Sequence, residues 1–306
     1  MHAFLSLFAS VVMAFTPVPT TIRSLPTQTP LVSFGQLKTP EVAGVMTETS
    51  TPEQSNNTAI QQSNNSTIEQ SITPSPTPKP KPVKRTKNKE IKIAMLGDSM
   101  TDTLGPDLPH LKNILKKTYP NTSFTMKNYG VGGTNIEYGI TRITNGYTYL
   151  GTAIPALTSE RPDVIIVESF GYNPIPNESS VDRHWLAMAK VIDTIRSTLP
   201  QTKIVMAATI APNRDRFGDG AAGLSFSAQD KLERTTVIKT YIESTIKFAA
   251  SQKLPIADAY HPSLDGSGNG KLTYINGGDH IHYSDAGRAL ISQKIAQVLI
   301  NQKLLE

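Results

Sequence analysis

From residue 90 onward the apolar residues of this chain follow two spacings. Short runs rich in Ile, Val and Ala at 91–96, 124–128, 164–167, 203–208 and 255–257 have the length and composition of buried strands. Between them, at 108–118, 149–159, 181–199, 228–253 and 285–299, apolar positions recur three and four residues apart, as on one face of a helix. Strand and helix alternating five times predict an α/β fold in which a parallel sheet carries helices on both faces. No internal repeat is visible.

Upstream the pattern lapses. Residues 16–89 are dominated by Thr, Ser, Pro, Gln and Asn, with few aromatics. Such a stretch cannot bury enough apolar surface to offset chain entropy, so it reads as a disordered linker with a basic end. Of the 306 residues, 90–304 are left as one domain. Ahead of the linker, residues 3–15 are an unbroken run of apolar and small residues ended by Thr16-Pro17. The run is too short for a spanning helix, which needs about 20 residues. It has the length of a signal-peptide hydrophobic region, with Val12-Met13-Ala14 as an imperfect cleavage site and only His2 and the amino terminus as positive charge before it. Residues 1–15 are therefore read as a signal-like segment. The protein is expected to be secreted or extracytoplasmic, with the linker as a spacer from a membrane or through a wall.

Charge and cysteine content narrow the classes. The net charge is +5, but Lys79, Lys81, Lys84, Arg85, Lys87 and Lys89 lie in the linker, and taking these six from +5 leaves −1 elsewhere. A near-neutral domain gives no reason to expect a nucleic-acid partner. What remains is weak contact of the basic linker with an anionic membrane or wall polymer. With no cysteine, disulfides and lipid attachment through a thiol are excluded.

In a parallel α/β sheet, function collects in loops after the carboxyl ends of the strands. The unusual polar residues fall there. Gly97-Asp98-Ser99 follows the first strand. Asn128-Tyr129-Gly130-Val131-Gly132-Gly133-Thr134-Asn135 follows the second, and Phe170-Gly171-Tyr172-Asn173-Pro174 the third. Gly278-Asp279-His280-Ile281-His282-Tyr283-Ser284-Asp285 precedes the last helix. Ser99 alone has two readings, since Ser99 with Asp102 also fits the S-x-x-D capping pattern. A helix begun at Ser99 would soon meet Pro106 and Pro109, however, so the main helix is expected to begin near Pro106 or Asp107, leaving Ser99 in a short turn.

Together these blocks resemble the SGNH hydrolases, or GDSL esterases and lipases, across essentially the whole domain. The resemblance implies a flavodoxin-like three-layer sandwich with a five-stranded parallel sheet. It implies a nucleophilic Ser99, oxyanion-hole donors at Ser99, Gly133 and Asn173, and Asp279 and His282 completing a triad. Met100 replaces the Leu of the GDSL block, an apolar exchange, and Pro174 replaces the Asp that follows Asn173. The chemistry asks for the same groups. A serine hydroxyl needs a base within reach, a histidine titrates near neutrality, and a carboxylate three residues before it can orient the ring across one tight turn. The G-x-S-x-G elbow of α/β-hydrolases is missing, because Thr101 stands at the second Gly.

The bland readings are specific too. Gly132 competes with Gly133 as the donor, and both could serve only as a turn. Asn173 before Pro174 could be a turn residue. Asp279, His280 and His282 are metal-ligand types, but a serine mechanism needs no metal or other cofactor. Asp265-Gly-Ser-Gly-Asn-Gly270 begins like a calcium loop, yet Asn276 stands where a bidentate Glu belongs, so it reads as a solvated loop. Residues 213–227, with Arg214 and Arg216, form a long insert expected to overhang the crevice and shape access. His261 and Trp185 carry no signal beyond packing.

The expected activity is hydrolysis of an acyl ester through an acyl-enzyme, with an O-acylated extracellular carbohydrate or wall polymer as the favoured substrate. An O-acyltransferase would use the same site. A non-catalytic carbohydrate-binding module on the same fold is the contrasting class. The oligomeric state is not indicated.

Overall fold

A computed structural model describes residues 89–176 and 180–306 of the chain. The expected signal-like segment, 1–15, and the linker, 16–89, lie outside these residues except for Lys89, which opens the first strand.

Five strands form one parallel sheet: β1 (Lys89–Gly97), β2 (Thr122–Gly130), β5 (Val164–Glu168), β6 (Lys203–Ala208) and β7 (Ile256–Asp258), in the order β2-β1-β5-β6-β7. The register runs from Lys89 opposite Thr122 to Gly97 opposite Gly130, and from Ile93 opposite Val164 to Leu96 opposite Val167. Alternation along β1 sends Ile93 and Met95 to one face and Ala94 and Leu96 to the other, and each face carries its own apolar core. Helices α2 (Pro109–Thr118) and α7 (Asp285–Asn301) pack on the first face, and a single turn, α6 (Tyr260–Ser263), follows β7. Helices α3 (Ile136–Thr144) and α4 (Ser180–Thr198), with the C-terminal part of α5 (Ala228–Ser251), cover the second. This is the three-layer, flavodoxin-like sandwich that the sequence predicts. Its strand order reverses between β1 and β5, which opens a crevice at their carboxyl ends.

Three local expectations are corrected. Residues 149–159 are not a helix. They hold the end of a hairpin, β3 (Tyr147–Tyr149) paired antiparallel with β4 (Thr152–Ile154), followed by a short 3-10 turn at Leu157–Glu160. Leu150 (φ 48°) and Gly151 (φ 78°) both sit in the left-handed region, as a two-residue hairpin loop demands, and that conformation stops a helix. A helix not anticipated, α3, starts instead where Asn135 accepts the Glu137 amide at 3.0 Å. Finally, α2 begins at Pro109 rather than near Pro106 or Asp107. Leu108 is left-handed (φ 45°) and closes a separate turn back to Gly105.

Candidate active site

At the end of β1 the chain turns directly into a one-turn helix, α1 (Ser99–Asp102). The cap is not Ser99 but Asp98, whose Oδ1 accepts the Met100 amide at 2.8 Å, so Ser99 is the first helical residue and its side chain is not used as a cap. The turn is packed so close to the sheet that side chains are excluded beneath it. A methyl group on Gly97 would lie 2.0 Å from Thr101 Oγ1, and one on Gly130 would lie 2.1 Å from the Asp102 amide nitrogen. Asn128 Nδ2 donates to the carbonyls of Thr101 and Gly105, both at 2.9 Å, and so ties α1 to the end of β2. From α3, buried Arg142 donates to the Gly97 carbonyl at 3.0 Å and the Tyr129 carbonyl at 2.8 Å, pinning both strand ends.

Across the β1–β5 crevice, the Asn173 amide Nδ2 donates to Asp98 Oδ2 at 3.0 Å. Asp98 and Glu168, the last residue of β5, are both fully buried. Burial pushes the Glu168 carboxyl well above the usual carboxylate range, and the negative charge of Asp98 pushes it further. Burial also raises Asp98, but the Asn173 and Met100 hydrogen bonds and the nearby His282 oppose it. Two carboxyls in one dry site resist ionising together, and of the two Glu168 is the more strongly raised. Glu168 is held by Ser169 Oγ at 2.6 Å and the Phe170 amide at 3.0 Å.

Asp279 and His282 meet in a tight turn before α7. Asp279 Oδ2 lies 2.8 Å from His282 Nδ1, and its Oδ1 accepts the amides of Ile281 at 2.9 Å and His282 at 3.1 Å. Burial works to raise the Asp279 carboxyl, but these three hydrogen bonds together outweigh it and hold it down at about 2. The turn is buttressed by the insert at 213–227. His280 Nδ1 lies 2.7 Å from the Asp219 carbonyl, and a methyl group on Gly220 would lie 2.4 Å from the Gly278 carbonyl oxygen. Asp219 is itself held by Arg216 at 3.1 Å and by Lys231. The insert therefore packs against the turn that carries Asp279 and His282.

The two candidate glycines differ. Gly132 gives its N–H to the Tyr149 hydroxyl at 3.1 Å, whereas the Gly133 N–H has no partner among the described residues. Gly133 has φ 71°, a left-handed conformation that favours glycine, and nothing obstructs the space beside it. A methyl group on Gly132 would lie 3.9 Å from Ser99 Cβ, which puts this loop beside Ser99. The structure thus joins Asp279 to His282 and Asn173 to Asp98, and sets the glycine loop against Ser99. It forms no hydrogen bond between Ser99 Oγ and His282, which lies near enough to Asp98, next to Ser99, to interact with it electrostatically. Such bonds are commonly loose without substrate.

Sequence reasoning missed three participants, Glu168, Arg142 and Tyr149, which acquire their contacts only through tertiary packing. Outside the site, Asp258-Ala-Tyr-His261 repeats the D-x-x-H spacing of Asp279 and His282, and His261, expected only to pack, is exposed and pairs with Asp258 at 2.5 Å. The solvated-loop residue Asp265 spends its Oδ1 on the amides of Ser267 and Asn269, both at 2.9 Å.

The sequence profile of the GDSL-like Lipase/Acylhydrolase family matches residues 95–290. Among solved structures, a lipase/acylhydrolase from Enterococcus faecalis aligns with a TM-score of 0.50 at 18% identity, covering 69% of this chain and 96% of that one. A GDSL-like lipase from Bacteroides thetaiotaomicron aligns with a TM-score of 0.50 at 13% identity, covering 69% and 88%. No curated protein matches. The solved structures speak for the fold, and the profile spans the loops that hold Ser99, Gly133, Asn173, Asp279 and His282. The chain belongs to the GDSL-like lipase/acylhydrolase family, the SGNH hydrolases, and is an ester hydrolase.

Proposed function

We propose that the chain is a serine esterase working through an acyl-enzyme, with Ser99 as nucleophile, His282 as base and Asp279 as its orienting carboxylate. The observation that carries this reading is the 2.8 Å contact between Asp279 and His282 Nδ1, made by a carboxylate that stays ionised down to about pH 2. That contact keeps the Nδ1 proton in place and leaves Nε2 to accept the Ser99 proton as Oγ attacks the acyl carbonyl. The C–O bond to the alcohol then breaks, and His282 returns the proton to the departing oxygen. Water, deprotonated by the same His282, cleaves the acyl-Ser99 ester and regenerates the site. The amides of Ser99 and Gly133 and the second Nδ2 proton of Asn173 are the donors for the oxyanion. The first Nδ2 proton is committed to Asp98, which fixes the direction of the amide.

The substrate class follows from the chain ahead of the domain. A signal-like segment and a long linker ending in basic residues favour export and display near a membrane or wall, so the acyl group is taken to sit on an extracellular carbohydrate or wall polymer. A fluorophosphonate probe tests the nucleophile. Wild type is expected to be labelled, Ser99→Ala to be unlabelled and His282→Ala to be labelled far more slowly. Full labelling of Ser99→Ala sinks the assignment. Acetate release from O-acetylated glycans, set against hydrolysis of long-chain p-nitrophenyl esters, tests the substrate class.

A further inference from the structure

Tyr149, the last residue of β3, makes two hydrogen bonds with one hydroxyl. It accepts the Gly132 N–H at 3.1 Å and donates to Asp102 Oδ2 at 2.8 Å. Asp102 closes α1, three residues after Ser99. Gly132 precedes Gly133, and a methyl group on it would lie 3.3 Å from the Tyr149 oxygen and 3.9 Å from Ser99 Cβ. One phenol therefore links the hairpin, the nucleophile turn and the glycine loop within a few ångströms of Ser99. Burial, first, and the Asp102 carboxylate push the phenol above its ordinary range, so it remains a donor. The link also settles which glycine amide is free, because the Gly132 N–H is consumed.

We propose that Tyr149 is a positioning residue of the ester-hydrolysing site, tying the 131–134 loop to the turn that carries Ser99 so that the Gly133 amide meets the oxyanion in register. The proposal rests on the reading of Ser99 as nucleophile. The bonds to Gly132 and Asp102 do not touch the ground-state ester, so their loss should appear in the chemical step and not in substrate binding.

Tyr149→Phe removes a single oxygen and is the first variant. With p-nitrophenyl acetate, and with active sites counted by fluorophosphonate, its kcat is expected to fall about tenfold, the low end for loss of a hydrogen bond to a carboxylate, with KM within roughly twofold. Affinity for phenylboronic acid, which forms a tetrahedral adduct on a nucleophilic serine, should weaken by about the same factor. Asp102→Ala should lower kcat similarly, and Asp102→Asn, which keeps an acceptor for the phenol, should recover most of the loss. Tyr149→Phe combined with Asp102→Ala should be little worse than either alone, because both break one link. A merely structural role would lower the titratable fraction and the melting temperature while leaving kcat per active site and boronate affinity unchanged. That outcome overturns the proposal. So does Asp102→Ala at wild-type kcat. Ser99→Ala run alongside keeps the two readings apart. If it labels fully, the nucleophile reading fails. If its labelling is lost while Tyr149→Phe keeps wild-type kcat and boronate affinity, only the role of Tyr149 fails.

Discussion

The Asn173 amide donates to the Asp98 carboxylate at 3.0 Å, so the residue that caps the turn carrying Ser99 also aims a side chain from the opposite side of the crevice. Burial raises the Asp98 carboxyl, and the hydrogen bonds from Asn173 and Met100 and the nearby His282 work against that rise. Asp98→Asn preserves shape but leaves one acceptor oxygen for two donors, the Met100 and Asn173 amides, so one of the two bonds is lost and the other weakened. Hydrogen bonds to charged groups contribute about 1.5–3 kcal/mol, so kcat should fall by roughly 10- to 100-fold. Asn173→Ala, which deletes the donor itself, should cost about 10²- to 10³-fold. Steady-state rates per labelled active site check both. An Asp98→Asn enzyme at wild-type kcat would show that the aim of Asn173 does not depend on this carboxyl.

Two Asp–His pairs share one spacing, and they should behave differently. Asp279→Asn leaves the geometry but removes the carboxylate that holds the Nδ1 proton, and kcat should drop by about 10⁴. His261→Ala and Asp258→Asn, in the exposed pair after β7, should leave kcat within roughly twofold of wild type, as for surface changes away from the chemistry. Because Asp279 stays ionised down to about 2, the acid limb of kcat/KM should follow one ionisation above about pH 4. A two-proton slope there would contradict the division of labour between Asp279 and His282.

His184 is buried, with Nε2 2.8 Å from the Ser169 carbonyl, and Nδ1 has no hydrogen-bond partner among the described residues. Burial pulls its pKa from 6.5 to about 4. The folded state therefore binds its proton less readily than the unfolded chain. Its contribution to stability is whole above pH 6.5 and is lost as pH falls from 6.5 to about 4, reaching about 3 kcal/mol over that window. The raised carboxyls of Asp98 and Glu168 act in the opposite sense, favouring the folded state as pH falls, and Asp279 enters only below 3.8. Comparison with His184→Gln, a neutral donor, subtracts those terms. Denaturant titrations should show wild type losing stability relative to the variant between pH 6.5 and 4. Parallel curves would mean that His184 binds its proton as readily in the fold as in the unfolded chain.

What the sequence discloses is what burial writes locally. β1, β5 and β6 are covered on both faces, so their apolar runs are continuous and the loops after them stand out. Helix α3 escapes notice because its packed positions include Gly139, pressed on Phe170, and Arg142, which reaches strand-end carbonyls where an apolar side chain would be expected. The hairpin is mistaken for a helix because Tyr149, Ala153, Ala156 and Leu157 happen to fall at helical spacing, while its turn, Leu150-Gly151, lacks the Asn-Gly signature. Glu168 looks like any strand-end acid. Its raised carboxyl comes first from full burial and then from Asp98, which arrives beside it from another strand.

The insert at 213–227 bears on the turn that carries Asp279 and His282 through Gly220, and this too can be tested. At φ 87° and 2.4 Å from the Gly278 carbonyl, an alanine at Gly220 would meet both backbone strain and a steric clash with the Asp279–His282 turn. Gly220→Ala should therefore lower stability by about 1–3 kcal/mol and also lower kcat, because relief of the clash must displace the turn that holds the base. Gly223→Ala is the matched control. It shares the strain, at φ 76°, but nothing lies within 4 Å, so it should cost about 1–2 kcal/mol of stability with kcat unchanged. Melting curves and kcat per labelled active site, measured on both variants, separate strain from contact. Equal kcat in the two would mean that the insert does not set the position of His282.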